Sequence, residues 1–152
     1  MIHVALWEPQ IAPNTGNIAR LCAATASKLH LIGRLGFHLD DRHLRRAGID
    51  YWNSVDLEQH ATFADFVVAL EGARIVAFST RAELPYTLIH FAAGDCLLFG
   101  NESHGLPDGV LHDGRILSAR IPMPGQAVRS LNLATAAGIA LYEALRQTEH
   151  WQ

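Results

Sequence analysis

Three segments of the chain concentrate the polar residue types that could bind a ligand or assist a reaction. They are residues 14–20, 100–107 and 121–132, and each combines glycine or proline with amide, hydroxyl or charged side chains. Apolar stretches flank them, so we expect loops and helix starts held between regular elements, where functional residues concentrate. Their polar side chains are Asn14, Thr15, Asn17, Arg20, Asn101, Glu102, Ser103, His104, Gln126, Arg129, Ser130 and Asn132.

The middle segment matches familiar catalytic motifs only in part. Gly100-Asn-Glu-Ser-His-Gly105 comes near a nucleophile elbow, but G-x-S-x-G needs glycine at position 101, which is asparagine here. No G-x-G-x-x-G follows the first apolar stretch, and no G-K-[ST] occurs. A serine hydrolase and a nucleotide-binding fingerprint are therefore disfavoured. Gly100 and Gly105 instead allow close backbone approach and positive φ. Asn101 and Glu102 could either hold a polar ligand or shape the loop.

Apolar runs alternate with helical patterns along the chain. We predict strands over residues 2–6, 28–32, 74–80, 96–99 and 115–121, with helices between them, including one over residues 62–70 that Thr62 caps. This alternation predicts an α/β domain with a mainly parallel sheet. The middle segment leaves the carboxyl end of a buried strand, where such sheets bind ligands.

The first helix is expected to start at Asn14 or Thr15, either of which could be its N-cap. Asn17 and Arg20 then share a side near the helix start, where the helix dipole favours anions. An arginine there needs an anionic or polar partner. Phosphate is one candidate, and a surface carboxylate is the alternative.

A second basic group lies in a short helix predicted over residues 40–48. Arg42, Arg45 and Arg46 fall on one side of it and could bind phosphates. The alternative is that these charges only complement the helix dipole. Since the chain carries a formal net charge of −3, any contact with RNA would need such a local patch.

The last helix, which begins near residue 131, combines an apolar stripe with small residues. Ala136, Ala137, Gly138 and Ala140 would let another backbone come close. An ordinary core helix is the alternative. The stripe consists of Leu131, Ala134, Thr135, Gly138, Leu141, Tyr142 and Leu145.

Length and composition indicate a single globular domain. The chain has 152 residues, 49% of them hydrophobic and 18% charged, and it contains neither a membrane-length apolar run nor a signal-peptide pattern. Cys22 and Cys96 occur in unrelated contexts, which disfavours a disulfide framework or a metal site. Free thiols are typical of a cytoplasmic protein.

The three polar segments together resemble a known family. Asn14-Thr-Gly-Asn-Ile-Ala-Arg20, Leu98-Phe-Gly-Asn-Glu-Ser-His-Gly-Leu-Pro107 and Ile121-Pro-Met-Pro, followed by Arg129-Ser-Leu-Asn132, resemble the three motifs of the SpoU branch of the SPOUT RNA methyltransferases. Glu8-Pro9 and Leu44-Arg-Arg-Ala-Gly-Ile-Asp-Tyr51 are similar to segments of its small bacterial members, which act on the 2′-oxygen of tRNA nucleotide 34. The resemblance covers nearly the whole chain, with no extra RNA-binding domain.

The resemblance implies one domain over residues 1–152, with a mainly parallel sheet, helices on both faces and a deep trefoil knot over about residues 74–146. It implies a homodimer that packs partly through the last helix. It further implies S-adenosylmethionine as methyl donor, S-adenosylhomocysteine as product, no metal, and the anticodon stem-loop of tRNA as partner. Methylation of another tRNA or rRNA position, or a non-catalytic dimeric RNA-binding domain, are the alternatives.

The resemblance also implies residue roles, which we state as expectations. Guanidinium has a pKa above about 12, so we expect Arg20 to clamp a phosphate or the developing oxyanion rather than act as the base. Family members carry arginine where this chain has His104, and an RNA contact is expected to be weaker for that reason. The expected cofactor-binding residues are Phe78, Gly100, Glu102, Ile121, Ser130 and Leu131; the catalytic residues are Arg20, Ser130 and Asn132; the RNA-binding residues are Asn17, Arg20, Arg42, Arg45, Arg46 and Arg129.

Overall fold

A parallel sheet organises the computed structural model, which describes residues 1–40, 42 and 52–149. Within these residues the sheet has six strands in the order β3-β2-β1-β5-β4-β6, and every neighbouring pair is parallel. The α/β fold with a mainly parallel sheet is thus confirmed. The strands are His3–Trp7 (β1), Lys28–Ile32 (β2), Leu57–His60 (β3), Ile75–Phe78 (β4), Cys96–Phe99 (β5) and Ile116–Ala119 (β6).

Helices cover both faces of the sheet. The first and last, Ala12–Thr25 (α1) and Leu133–Thr148 (α4), pack side by side against one face. The short helices Phe63–Ala69 (α2) and Asp108–Leu111 (α3) share a second core with the other face. Buried side chains alternate between the two cores along each central strand, as expected where both faces are covered. None of the helices in the described part of the chain is long and apolar enough to span a membrane.

Helix α1 starts earlier than the sequence pattern predicts. Ile11 is the N-cap residue without a side-chain cap, and Pro13 lies in the first turn. Proline is tolerated there because a first-turn N–H has no partner within the helix. The prediction that Asn14 or Thr15 caps the helix is therefore wrong, and Arg20 lies about two turns inside the helix rather than near its start.

Helix α2 is capped as predicted, whereas strand β3 was missed. The Thr62 hydroxyl accepts a 3.1 Å hydrogen bond from the Asp65 N–H. Strand β3, Leu57-Glu-Gln-His60, has no apolar alternation, so periodicity gives no strand signal. Its strand conformation depends on pairing with β2, from Leu29↔Leu57 to Ile32↔His60.

The buried face of α4 is not the stripe that spacing predicts. Of that stripe only Leu141 and Leu145 are buried, while Tyr142 is 46% exposed. Alanines make up half of the buried face, and α1 packs beside it: a Cβ atom at Gly138 would lie at ordinary contact distance, 3.9 Å, from Leu21 Cδ2. The buried side chains are Leu133, Ala137, Ala140, Leu141, Ala144 and Leu145.

Both cysteines are free and buried. Cys22 lies on α1 and Cys96 begins β5. Burial in apolar surroundings raises the pKa of the Cys22 thiol to about 12, and burial also raises the pKa of Cys96. Neither thiol forms thiolate near neutral pH.

Candidate functional site

A cavity of about 600 Å³ opens at the carboxyl ends of β4, β5 and β6. Its walls come from residues 78–81 after β4, 99–106 after β5, and the long segment from Ile121 to Leu133 that precedes and begins α4. Ile11 and Asn14 of the α1 start complete it. Two of the three polar segments therefore meet around one space, and the third contributes its first residue.

The loop after β5 folds back on itself so tightly that its first residue must be glycine. A Cβ atom at Gly100 would lie 2.1 Å from the carbonyl carbon of Gly105 and 2.3 Å from the Leu106 nitrogen. Gly105 has φ +66°, which a residue with a side chain adopts at a cost, and its N–H donates to the Asn101 carbonyl at 3.1 Å. Both roles predicted for these glycines are confirmed.

Asn101 holds the turn from inside. Its side-chain oxygen accepts hydrogen bonds from the N–H groups of Ser103, at 3.1 Å, and His104, at 2.7 Å. Asparagine commonly mimics a backbone turn in this way. The side chain thus shapes the loop, one of the two roles that the sequence allowed for it.

Glu102 joins this loop to the one that follows β1. Its two carboxylate oxygens accept from the Gln10 N–H at 3.2 and 2.9 Å. The Ser103 hydroxyl donates to the Gln10 side-chain oxygen at 2.6 Å. Sequence reasoning missed Gln10, although it directly follows the Glu8-Pro9 pair that pointed to the family.

Asn132 performs two tasks at the start of α4. Its side-chain oxygen accepts from the N–H groups of Ala134, at 2.9 Å, and Thr135, at 3.2 Å, so Asn132 is the N-cap. Its amide nitrogen donates to the Asn14 side chain at 3.1 Å. One residue therefore fixes both the end of the 121–132 segment and its distance from α1.

Aromatic rings and one ion pair define the opposite wall. Phe78 and Phe99, paired between β4 and β5, stack with centroids 5.0 Å apart. The Arg81 guanidinium donates to the Asp108 carboxylate at 2.6 Å and to the Leu106 carbonyl at 3.1 Å. The hydrogen bond from Arg81 lowers the pKa of Asp108. Sequence reasoning did not single out Arg81, since its partner is distant in the chain.

The structure divides the predicted site residues into two groups. Asn17, Arg20 and Arg42 are exposed and do not line the cavity. Arg45 and Arg46 lie outside the described residues. Those that line the cavity are Phe78, Gly100, Glu102, Ile121, Arg129, Ser130, Leu131 and Asn132.

The arrangement suits binding and alignment of a small ligand. Cavities of about 300–1,000 Å³ with apolar walls and a few polar groups are typical ligand sites. Here aromatic and aliphatic walls are combined with backbone groups at strand ends, while Arg129 and Ser130 lie exposed at the rim. Asn101, Glu102 and Asn132 accept hydrogen bonds from backbone N–H groups, so their main contribution is to fix the backbone around the cavity.

Comparison with known proteins identifies a family. A model of the SpoU rRNA Methylase family matches residues 1–142. A tRNA (cytidine(34)-2′-O)-methyltransferase of Aeromonas hydrophila is 43% identical over 151 residues, which are 97% of this chain and 94% of that protein.

Solved structures are similar over nearly the same range. One concerns the 2-OH methylation of C/U34 on tRNA; it is 53% identical, has a TM-score of 0.90 and covers 97% of this chain and 95% of its own. An rRNA methyltransferase from Sinorhizobium meliloti with AdoMet bound is 29% identical with a TM-score of 0.80. That match covers 95% of this chain and 56% of the other.

Proposed function

The chain belongs to the SpoU methylase family, and we propose that it is the methyltransferase that modifies the ribose 2′-oxygen of the wobble nucleotide 34, cytidine or modified uridine, in tRNA. The methyl donor would be S-adenosylmethionine. The observation that carries this proposal is the meeting of the Gly100 loop and the 121–132 segment around one cavity at the strand ends. The names of the full-length relatives supply the choice of substrate.

The cavity residues fit a nucleoside-sized cofactor. Phe78, Gly100, Ile121 and Leu131 line the cavity, and their backbone groups would hold the adenine and ribose. Glu102 and Asn132 would act indirectly. Their hydrogen bonds to Gln10 and Asn14 would hold the two loops at the separation that the cofactor needs.

When bound, S-adenosylmethionine would supply a methyl group activated by its sulfonium, with S-adenosylhomocysteine as the leaving group and the 2′-hydroxyl proton passing to water. The protein must align the hydroxyl, and alignment can contribute several kcal/mol. Ser130 and Arg129, both exposed at the cavity rim, would contact the incoming nucleotide.

Arg20 and Asn17 would bind RNA rather than cofactor, since both are exposed on α1 and outside the cavity lining. Arg42, in the segment after β2, would add a phosphate contact, as would Arg45 and Arg46. Neutralising a guanidinium at pH 7 would cost about 7 kcal/mol, so a clamp on phosphate or oxyanion suits Arg20 better than base catalysis.

We further propose that the C-terminal part of the chain forms a trefoil knot. Segment 84–91 bonds to the chain on both sides of the 121–132 segment. Before it, the Arg120 N–H donates to the Leu84 carbonyl and the Tyr86 N–H to the Arg120 carbonyl, each at 2.8 Å. After it, Gln147 of α4 bonds to the Phe91 N–H at 2.8 Å and to the Ile89 carbonyl at 3.0 Å. A chain that passes beneath segment 84–91 would have these contacts.

A homodimer would pack through the side of α4 that does not contact the sheet. Tyr142 is 46% exposed there, and the small residues Thr135 and Gly138 would let a helix of the partner subunit come close. We place the enzyme in the cytoplasm, where its tRNA substrate would be, and expect no metal in the methyl transfer itself.

The test is methyl transfer to defined RNAs. Purified protein would be incubated with radiolabelled S-adenosylmethionine and tRNA from a strain without 34-methylation, and nucleosides would be mapped by mass spectrometry. We expect one 2′-O-methyl group at position 34, and none on the same tRNA carrying a 2′-deoxynucleotide there. Transfer to rRNA or to another tRNA position would assign a different substrate, and cofactor binding without any transfer would indicate a non-catalytic domain.

A further inference from the structure

Three histidines form a hydrogen-bonded row across the other half of the sheet. His3, His30 and His60 belong to β1, β2 and β3. His3 Nδ1 lies 2.9 Å from His30 Nε2, and His30 Nδ1 lies 2.9 Å from His60 Nε2. Successive rings stack with centroids 5.2 Å apart. None of the three lines the cavity.

Two of the three rings, His30 and His60, are buried against an apolar helix. His30 is 1% and His60 7% exposed, and Phe66 of α2 meets both rings edge-on with centroids 5.5 Å away. Buried polar atoms need partners, and here the ring nitrogens bond to one another. His30 uses both of its ring nitrogens in these contacts, in a core whose buried residues other than the row itself are apolar, so the row calls for a chemical explanation.

A carboxylate completes the group. Glu58 lies opposite His30 in the β2–β3 register. One ligand atom each from His30, Glu58 and His60 lie within 4.8 Å of one another. The Glu58 side chain is 41% exposed and pairs with Lys28 at 2.9 Å, so the group has an opening to solvent. Two imidazoles and a carboxylate are a ligand set found around zinc.

We propose that His30, His60 and Glu58 bind one divalent transition-metal ion of the zinc class. In one tautomer the His30 Nε2–H donates to His3, as ligating histidines commonly donate their second nitrogen to a partner. The His30 Nδ1 lone pair then faces His60 Nε2, and the ion replaces the proton between them.

The two histidines need little change to accept the ion. Tetrahedral zinc with Zn–N bonds of about 2.0–2.1 Å separates two nitrogens by about 3.3 Å, a few tenths of an ångström more than their present distance. Glu58 would exchange Lys28 for the ion, and water would occupy the fourth position. The ion would tie edge strand β3 to β2.

The test is a metal titration of tag-free protein from which bound metal has been removed with a chelator. Zn²⁺ binding would be measured by calorimetry, and Co²⁺ binding by visible absorption. We expect one equivalent of Zn²⁺, a tetrahedral Co²⁺ spectrum, and a higher Tm with metal. Glu58→Gln should weaken the affinity for Zn²⁺ at least about tenfold, and His60→Gln should weaken it more, because each variant loses a direct ligand. His112→Gln and Glu83→Gln, at exposed positions away from the row, should leave binding unchanged.

Failure to bind one equivalent, or equal affinity in Glu58→Gln and the parent protein, would overturn the proposal. Glu58 is half exposed, so its variant decides the matter even where His60→Gln does not fold. The metal proposal is independent of the proposed function, because methyl transfer should continue in the presence of chelator.

Discussion

The two halves of the sheet use polar side chains in opposite ways. At the carboxyl ends of β4, β5 and β6, polar residues lie in loops, and Asn101, Glu102 and Asn132 bond mainly to backbone N–H groups. Across β1, β2 and β3, His30 and His60 are buried, His3 is half-buried, and the three rings bond to one another. In the first half polar groups determine loop shape, whereas in the second they satisfy each other.

The contrast predicts different consequences of substitution. Removing a polar side chain from the loops breaks its hydrogen bonds to backbone N–H groups, so the loop can move, and ligand binding should be the property most affected. A lost ring in the histidine row leaves a buried nitrogen without a partner and should mainly affect stability. Four experiments test this difference, from the largest expected effect to the smallest.

Gly100→Ala should nearly abolish cofactor binding. The added methyl group would overlap the Gly105 backbone, at 2.1 Å, so the loop must move. Overpacking of this kind costs about 1–3 kcal/mol, and we expect about 100-fold weaker S-adenosylmethionine binding by calorimetry. Gly109→Ala is the matched control, since nothing lies within 4 Å of its Cβ position. Equal affinity in the two variants would show that the loop is not rigid.

Glu102→Ala should lower kcat/KM about tenfold, equivalent to about 1.4 kcal/mol. The substitution removes both carboxylate contacts to the Gln10 N–H. Gln10→Ala keeps that N–H and loses only the Ser103 contact, so its effect should be smaller. Steady-state methyl transfer measures both. The reverse order would mean that the side chain of Gln10, and not its backbone, holds the loops together.

Asn132 variants should separate helix capping from the contact with Asn14. Asn132→Ala loses both, which costs about 1 kcal/mol and lowers Tm by about 2–4 °C. Asn132→Ser keeps a capping oxygen but cannot reach Asn14, so Tm should be nearly unchanged while cofactor affinity falls. Differential scanning calorimetry and cofactor titration together give the answer. Intact affinity in the serine variant would remove the Asn14 contact from the site.

Acid should destabilise the histidine row by a few degrees in Tm. The pKa of His30 is about 4 in the folded protein against 6.5 for an ordinary histidine. Between these values the unfolded chain binds a proton that the folded chain does not, so stability is full above pH 6.5 and declines as pH falls toward 4. In chelator, Tm should drop less between pH 7 and 5 for His30→Gln than for the parent. An equal fall in Tm with pH in His30→Gln and in the parent protein would contradict this assignment.

The strands that sequence alone located are those with their own apolar signal. Lys28–Ile32 and Cys96–Phe99 begin and end where the apolar pattern predicts. Leu57–His60 has no such pattern, because its pairing partner β2 determines its conformation. Helix α1 was placed too late because Pro13 was expected to precede the helix instead of lying in its first turn.

The site was predictable where a motif is local in the chain. The glycines of residues 100–105 and Asn132 follow from such motifs. The partners of Glu102 and Asn132 do not, since Gln10 and Asn14 lie 92 and 118 positions away. The histidine row likewise requires the register of three strands, with neighbours 27 and 30 positions apart. Contacts between residues so far apart in the chain cannot be predicted from residue spacing.

The inert thiols make the protein ready for site-specific labelling. Cys22 and Cys96 are buried, and the pKa of Cys22 is about 12, so a maleimide dye should leave both unmodified. A single cysteine introduced by Ala127→Cys, in the exposed part of the 121–132 segment, would then be the one reactive position. Fluorescence from that dye could follow the segment in real time as ligand enters, with no need to remove the native cysteines first.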